Sequence, residues 1–98
     1  MKLLTMLISS DLKEEVSEII AGHDVDCYVR IGEAYGISHR CKGSLGNDMP
    51  WEARVIMVAG VEEQLVKLAE AVEAAVQAKD YKPCLRMMLS PVDRVWMY

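Results

Sequence analysis

The sequence holds no phenylalanine, only two tryptophans and two histidines, and no apolar run approaching the roughly 20 residues that a membrane helix needs. Cysteine is sparse as well. Cys27, Cys41 and Cys84 are an odd number at wide spacings, which argues against a disulfide framework, and none forms the CxxC pair of thioredoxins or zinc ribbons. Walker A, GxGxxG and HExxH motifs are missing, and so is GxSxG, so no short enzyme signature is present and the chain is expected not to be an enzyme. Positive charge is short too: 11 Lys+Arg against 15 Asp+Glu leave a formal charge of −4, which disfavours nucleic acid as a partner.

What is present is an ordinary globular composition, 52% hydrophobic and 27% charged. Ninety-eight residues make one domain over 1–98, since a second would have almost no core of its own. The opening stretch runs directly into a polar helix start with no small-residue cleavage site, so it reads as a strand and not a signal peptide, and a cytoplasmic location is expected.

Lys2 to Ile8 is a short apolar run of strand length. Ser9, Ser10 and Asp11 offer helix caps, with Asp11 and Glu14 spaced as in a capping box. Leu12, Val16, Ile19 and Ile20 fall on one helical face, and Gly22 is placed to end the helix at positive φ. Val25, Cys27, Val29 and Ile31 then alternate with Asp26, Tyr28 and Arg30, predicting a half-buried strand with Cys27 on its apolar, core side. Gly36 to Glu52 has no period and reads as a loop of about 12–15 residues, near the length at which loops tend to be functional. Ala53 to Ala59 is a second buried strand. Val61 to Lys79 is an amphipathic helix with Leu65, Leu68, Val72 and Val76 on its stripe, and Leu85 to Leu89 is a last strand that Cys84 opens as a core thiol. Val92 to Tyr98 leaves room for a turn and an edge strand.

The order β-α-β-β-α-β predicts an α+β fold of the ferredoxin-like kind: a four-stranded antiparallel sheet with two helices on one face. Two helices leave the other face bare although the strands are apolar on both sides, so assembly through that face is expected. Seven methionines replace the missing phenylalanine; Met6, Met57, Met87 and Met88 lie in strands and read as gap-filling core.

Over nearly its whole length the chain resembles the PII signalling superfamily. The resemblance rests on the element order, on Tyr35-Gly36 at the end of the second strand where PII proteins open their T-loop, on Glu52 to Ala75, and on LSPVDRV from Leu89 to Val95. It implies a cytoplasmic homotrimer that binds a small effector in clefts between subunits at the loop base and regulates another protein, such as a membrane transporter or an enzyme. The related CutA family implies the alternative of divalent or soft metal handling. Two departures stand out. The segment from His39 to Trp51 is shorter than a full T-loop and lacks a tyrosine, and Val76 to Pro83 (VQAKDYKP) lacks the glycines that cradle ATP phosphates.

Dense polar chemistry is confined to the loop. Arg40 and Lys42, with Ser38, Gly36 and Gly43 allowing the bend, suit a small anion such as an adenine nucleotide or bicarbonate, assisted by Lys79, Lys82 or Arg94. His39 and Cys41 form an H-x-C pair suited to a divalent or soft metal ion. A solvated loop with idle charges is the competing reading. Trp51 beside Pro50 is expected to clamp the loop base, and Trp96 and Tyr98 to pack at a subunit interface.

Overall fold

A computed structural model describes residues 1–25, 28–36 and 51–96. Strand β1 (Lys2–Ser9) passes through a single 3-10 turn, Ser10–Leu12, into helix α1 (Lys13–Ala21); β2 (Tyr28–Gly36), β3 (Trp51–Gly60), α2 (Glu62–Gln77) and β4 (Leu85–Pro91) follow. The four strands form one sheet in the order β2-β3-β1-β4, every neighbouring pair antiparallel. This is the ferredoxin-like plan, with β2 and β4 as its edges.

Register decides which side chains share a face. Leu4, Met6 and Ile8 of β1 lie opposite Val58, Ile56 and Arg54 of β3 and Leu89, Met87 and Leu85 of β4. Most of this side, toward the helices, is closed: Leu4, Met6, Ile8, Ile56 and Val58 join Leu12, Val16 and Ile20 before and along α1, and Leu65, Leu68 and Val72 of α2, in one buried cluster. No polar or charged side chain is buried among the described residues.

The other side of the sheet carries no helix among the described residues. Its rows run Val29–Met57–Thr5–Met88 and Ile31–Val55–Leu7–Arg86 across the four strands. Val29 is 58% exposed, Ile31 48% and Met88 49%, so the apolar face expected to stay bare is bare in the single chain.

Several expectations are corrected. Val29 and Ile31 face this open side and not the helices; Tyr28 and Arg30, opposite Val58 and Ile56, take the helix side, where Arg30 donates to Ser17 Oγ at 3.3 Å. The alternation was real, but an edge strand can turn its apolar side away from the helices when something else is to cover it. Cys27 lies outside the described residues. Asp11 caps nothing by its side chain: α1 starts two residues after it, behind the 3-10 turn, and neither helix start has a side-chain cap bond. Gly22 ends α1 at φ −86°, its N–H bonded to Glu18 and Ile19 carbonyls, so no positive φ is used. His23 Nδ1 sits 2.8 Å from the Ile19 carbonyl, at the negative end of the same helix. Met6 is core, whereas Met88 is exposed on the open face. After β4 the chain runs on without regular structure through Trp96, held at its start by Val92 N–H donating to the Met1 carbonyl.

Candidate functional site

The two strands that flank the loop, β2 and β3, meet at Gly36 opposite Trp51. A Cβ on Gly36 would fall 2.5 Å from Cε2 and Cζ2 of the indole and 2.9 Å from Nε1, so the ring lies directly on the glycine backbone. Trp51 thus clamps the loop base as its position beside Pro50 suggested, and Gly36 is needed for close approach. The indole N–H is buried and meets no acceptor among the described residues.

Beside this clamp is a cleft of about 600 Å³. Four stretches of chain line it: Ser9 to Asp11 after β1, Tyr35 at the end of β2, Trp51 and Glu52 opening β3, and Tyr81 to Cys84 before β4. The first and last are stitched together: Ser9 N–H donates to the Cys84 carbonyl at 3.0 Å, and Cys84 N–H to Ser9 Oγ at 2.8 Å. Tyr81 donates its phenol to Asp11 at 2.7 Å, and Ser10 donates to Glu52 at 3.3 Å. Among the described residues, both carboxylates in the cleft already accept a hydrogen bond, and Lys82 is the single cationic side chain of its wall. Its volume is in the range of small-ligand sites, about 300–1,000 Å³.

The hydrogen bond to Asp11 is the main cause that raises the Tyr81 phenol above its ordinary 10.0, with burial and the Asp11 charge adding. Because the folded chain holds the phenol proton more tightly, the contribution of this tether is present just below the phenol's ordinary value and is lost as the pH climbs through the raised one. A spectrophotometric phenolate titration is therefore expected to show a component above pH 10.0 that Tyr81→Phe removes; an unchanged titration in that variant would count against the tether.

The sequence-predicted residues divide. Lys82 lines the cleft, and Gly36 lies against Trp51 beside it. Lys79 does neither: its ammonium pairs with Glu15 on α1, whose hydrogen bond, first among the causes, raises the lysine above its ordinary 10.5. The connector between α2 and β4 directs two lysines three residues apart to different neighbours. Arg94 is also elsewhere, beyond Pro91, and Pro91 pairs with Lys2 at the opposite end of β1 from Ser9. Its guanidinium lies over the Trp96 ring, 4.8 Å from the centroid. Ser38, Arg40, Lys42 and Gly43, and the proposed metal ligands His39 and Cys41, lie outside the described residues, among which no cluster of metal-ligating side chains occurs. Cys84 is disulfide-bonded and so is not the free core thiol that its position suggested. Tyr81 and Glu52 were not read from the sequence as site residues, and Ser9 and Ser10 were read only as helix caps. Only the fold brings their separate segments together.

Comparison with protein-family models and with curated protein sequences gives no match. Solved structures do match, and they define the class as α+β with the fold of PII-like proteins. The nitrogen regulatory PII-like protein CPII of Thiomonas intermedia K12, bound to ADP, AMP and bicarbonate, is 22% identical with a TM-score of 0.65 over 97% of this chain and 94% of that one. The same protein bound to ADP, AMP and acetate gives 22% and 0.64, over 95% and 88%. A DUF3240 family protein of Shewanella baltica OS155 is 14% identical with a TM-score of 0.67, over 99% and 96%. At these identities the likeness is one of fold, and it bears out the resemblance read from the sequence at that level. No helix among the described residues is long and apolar enough to cross a membrane.

Proposed function

We propose that the protein is a PII-like regulator that binds a small effector in the cleft at the base of the loop and converts no substrate. The observation that carries this reading is the cleft itself, which four separate stretches of chain line at the ends of β2 and β3, Tyr35, Trp51 and Tyr81 among them. Support for the ligand class comes from CPII, which has the same fold and binds ADP, AMP and bicarbonate.

An adenine nucleotide is the effector proposed. Tyr35, Trp51 and Tyr81 offer aromatic surface for the base, and Lys82 offers a cation for a phosphate. One lysine beside two carboxylates is too little positive charge for a di- or triphosphate, so Arg40 and Lys42 of the loop are assigned the rest. Arg94, at the far end of its own sheet, can take part only from a neighbouring copy. The assembly is proposed to be a homotrimer that covers the open sheet face, where Val29, Ile31 and Met88 are otherwise exposed and Val55 and Met57 half-buried. Ligand-dependent rearrangement of the loop then alters contact with a regulated protein in the cytoplasm.

Thermal-shift measurements with ADP, AMP and bicarbonate test the reading. A ligand that binds only the folded chain stabilises it by about 2.7 kcal/mol at a hundred times its dissociation constant. Lys82→Ala is expected to weaken nucleotide binding about tenfold, the size of one charge-assisted hydrogen bond. Absence of any shift with all three ligands would overturn the assignment of the cleft.

A further inference from the structure

Away from the loop base, the helix face has a gap between α2 and the edge strand β4. Leu4, Leu65, Val66, Ala69, Met87 and Leu89 line a groove of about 270 Å³, below the usual volume of a cofactor or drug-sized site and suited to one large side chain. Glu70 and Glu73 stand at its rim, both exposed and neither ion-paired among the described residues. The groove is therefore apolar inside and acidic at the lip.

The segment after β4 has the opposite character. Trp96 is 66% exposed, Val95 is exposed beside it, and Arg94 lies over the indole with no carboxylate partner among the described residues. A large aromatic with a guanidinium on its face is the pair of residue types most enriched at the centre of protein interfaces. The Trp96 of the same chain does not fill the groove, since it remains mostly in solvent and is absent from the groove wall.

We propose that the groove between α2 and β4 receives Trp96 of a second copy, with Arg94 of that copy facing Glu70 and Glu73. Indole enters the apolar cleft and its cation meets two unpaired carboxylates, so the match is one of shape, polarity and charge sign together. Such a contact is heterologous: each copy offers a groove on one surface and an anchor on another, and repetition closes a ring if the rotation allows. A single anchor buries about 150–250 Å² of aromatic surface, far less than the about 800 Å² per partner of a stable interface. It therefore locks neighbours already held through the open sheet face, and it rests on that assembly existing.

The test uses the full chain carrying Arg94→Lys, which keeps the cation and makes it an amine. Isotope-labelled and unlabelled protein are mixed and treated with a carbodiimide, which joins an amine to a carboxylate in direct contact. Mass spectrometry is expected to find position 94 of one isotope linked to Glu70 or Glu73 of the other. The link should vanish when Glu70→Gln and Glu73→Gln are added, and Trp96→Ala in the otherwise native chain should raise the dissociation constant of the assembly at least about tenfold. Links confined to one copy, or no links to either glutamate in a protein that light scattering shows to be multimeric, would overturn the docking while leaving the open-face assembly standing. A mass of one copy would overturn both. All of these side chains except the groove wall are solvent-exposed, so loss of folding is not an expected confounder.

Discussion

If the protein is the proposed homotrimer, Ile31→Asp is expected to reduce it to a species of 11.0 kDa, one third of the native mass. Ile31 lies opposite Val55 on the open face, next to Leu7, and stays 48% exposed in the single chain. A carboxylate at that position meets water in the isolated copy, so folding should be nearly unaffected. In the assembly the same carboxylate is removed from water at every subunit. Burial of an Ile side chain contributes about 1.5–3 kcal/mol, and an unpaired buried charge adds a desolvation cost larger still unless it is neutralised. The substitution acts in each copy, so the cost is multiplied by the number of copies in the assembly. Light scattering with circular dichroism decides the matter. A folded variant of unchanged mass would show that the open face is not the contact.

Gly36→Ala should destabilise the loop base by about 1–3 kcal/mol, the usual cost of overpacking. Two indole carbons stand 2.5 Å from where the methyl would be, and a fused ring cannot bend away as the end of a flexible side chain could. At about 4–8 °C per kcal/mol for a domain of this size, the loss is visible in a melting curve. Trp51 is also a wall of the cleft, so nucleotide affinity should fall in parallel with stability. In Gly36→Ala with Trp51→Ala the steric term disappears, and the double variant should be more stable than the sum of the two single losses predicts. A Gly36→Ala protein that melts and binds like the native one would remove the clamp from the account.

The elements themselves were legible. Runs of strand length at Lys2–Ile8, Ala53–Ala59 and Leu85–Leu89 and the stripes through Val16 and Leu68 recur within a residue or two of the observed β1, β3, β4, α1 and α2. Helices and buried strands announce themselves through local period, because each must turn one set of side chains to the core. The face of β2 was not legible. Alternation shows that Val29 and Ile31 share a side, but which side the helices cover depends on pairing with β3, and in the single chain nothing covers the apolar one. Of the residues named from the sequence, Lys82 lines the cleft and Gly36 lies under Trp51 beside it. Lys79 and Arg94 look equivalent to Lys82 in sequence, yet Glu15 and Trp96 hold them elsewhere.

By itself, then, the order and spacing of residues determined the element order, the two-layer ferredoxin-like plan and the existence of an uncovered apolar face. These follow from contacts within a few residues along the chain and from the count of helices available to cover a sheet. Tertiary structure alone decided the site. Tyr81 reaches Asp11 across 70 positions, and Ser9 bonds Cys84 across 75. Trp51 settles on Gly36 only when β2 and β3 pair in register. Such contacts leave no local trace because each partner is chosen by the closure of the whole sheet, and the sequence near either residue carries no period or motif that names the other.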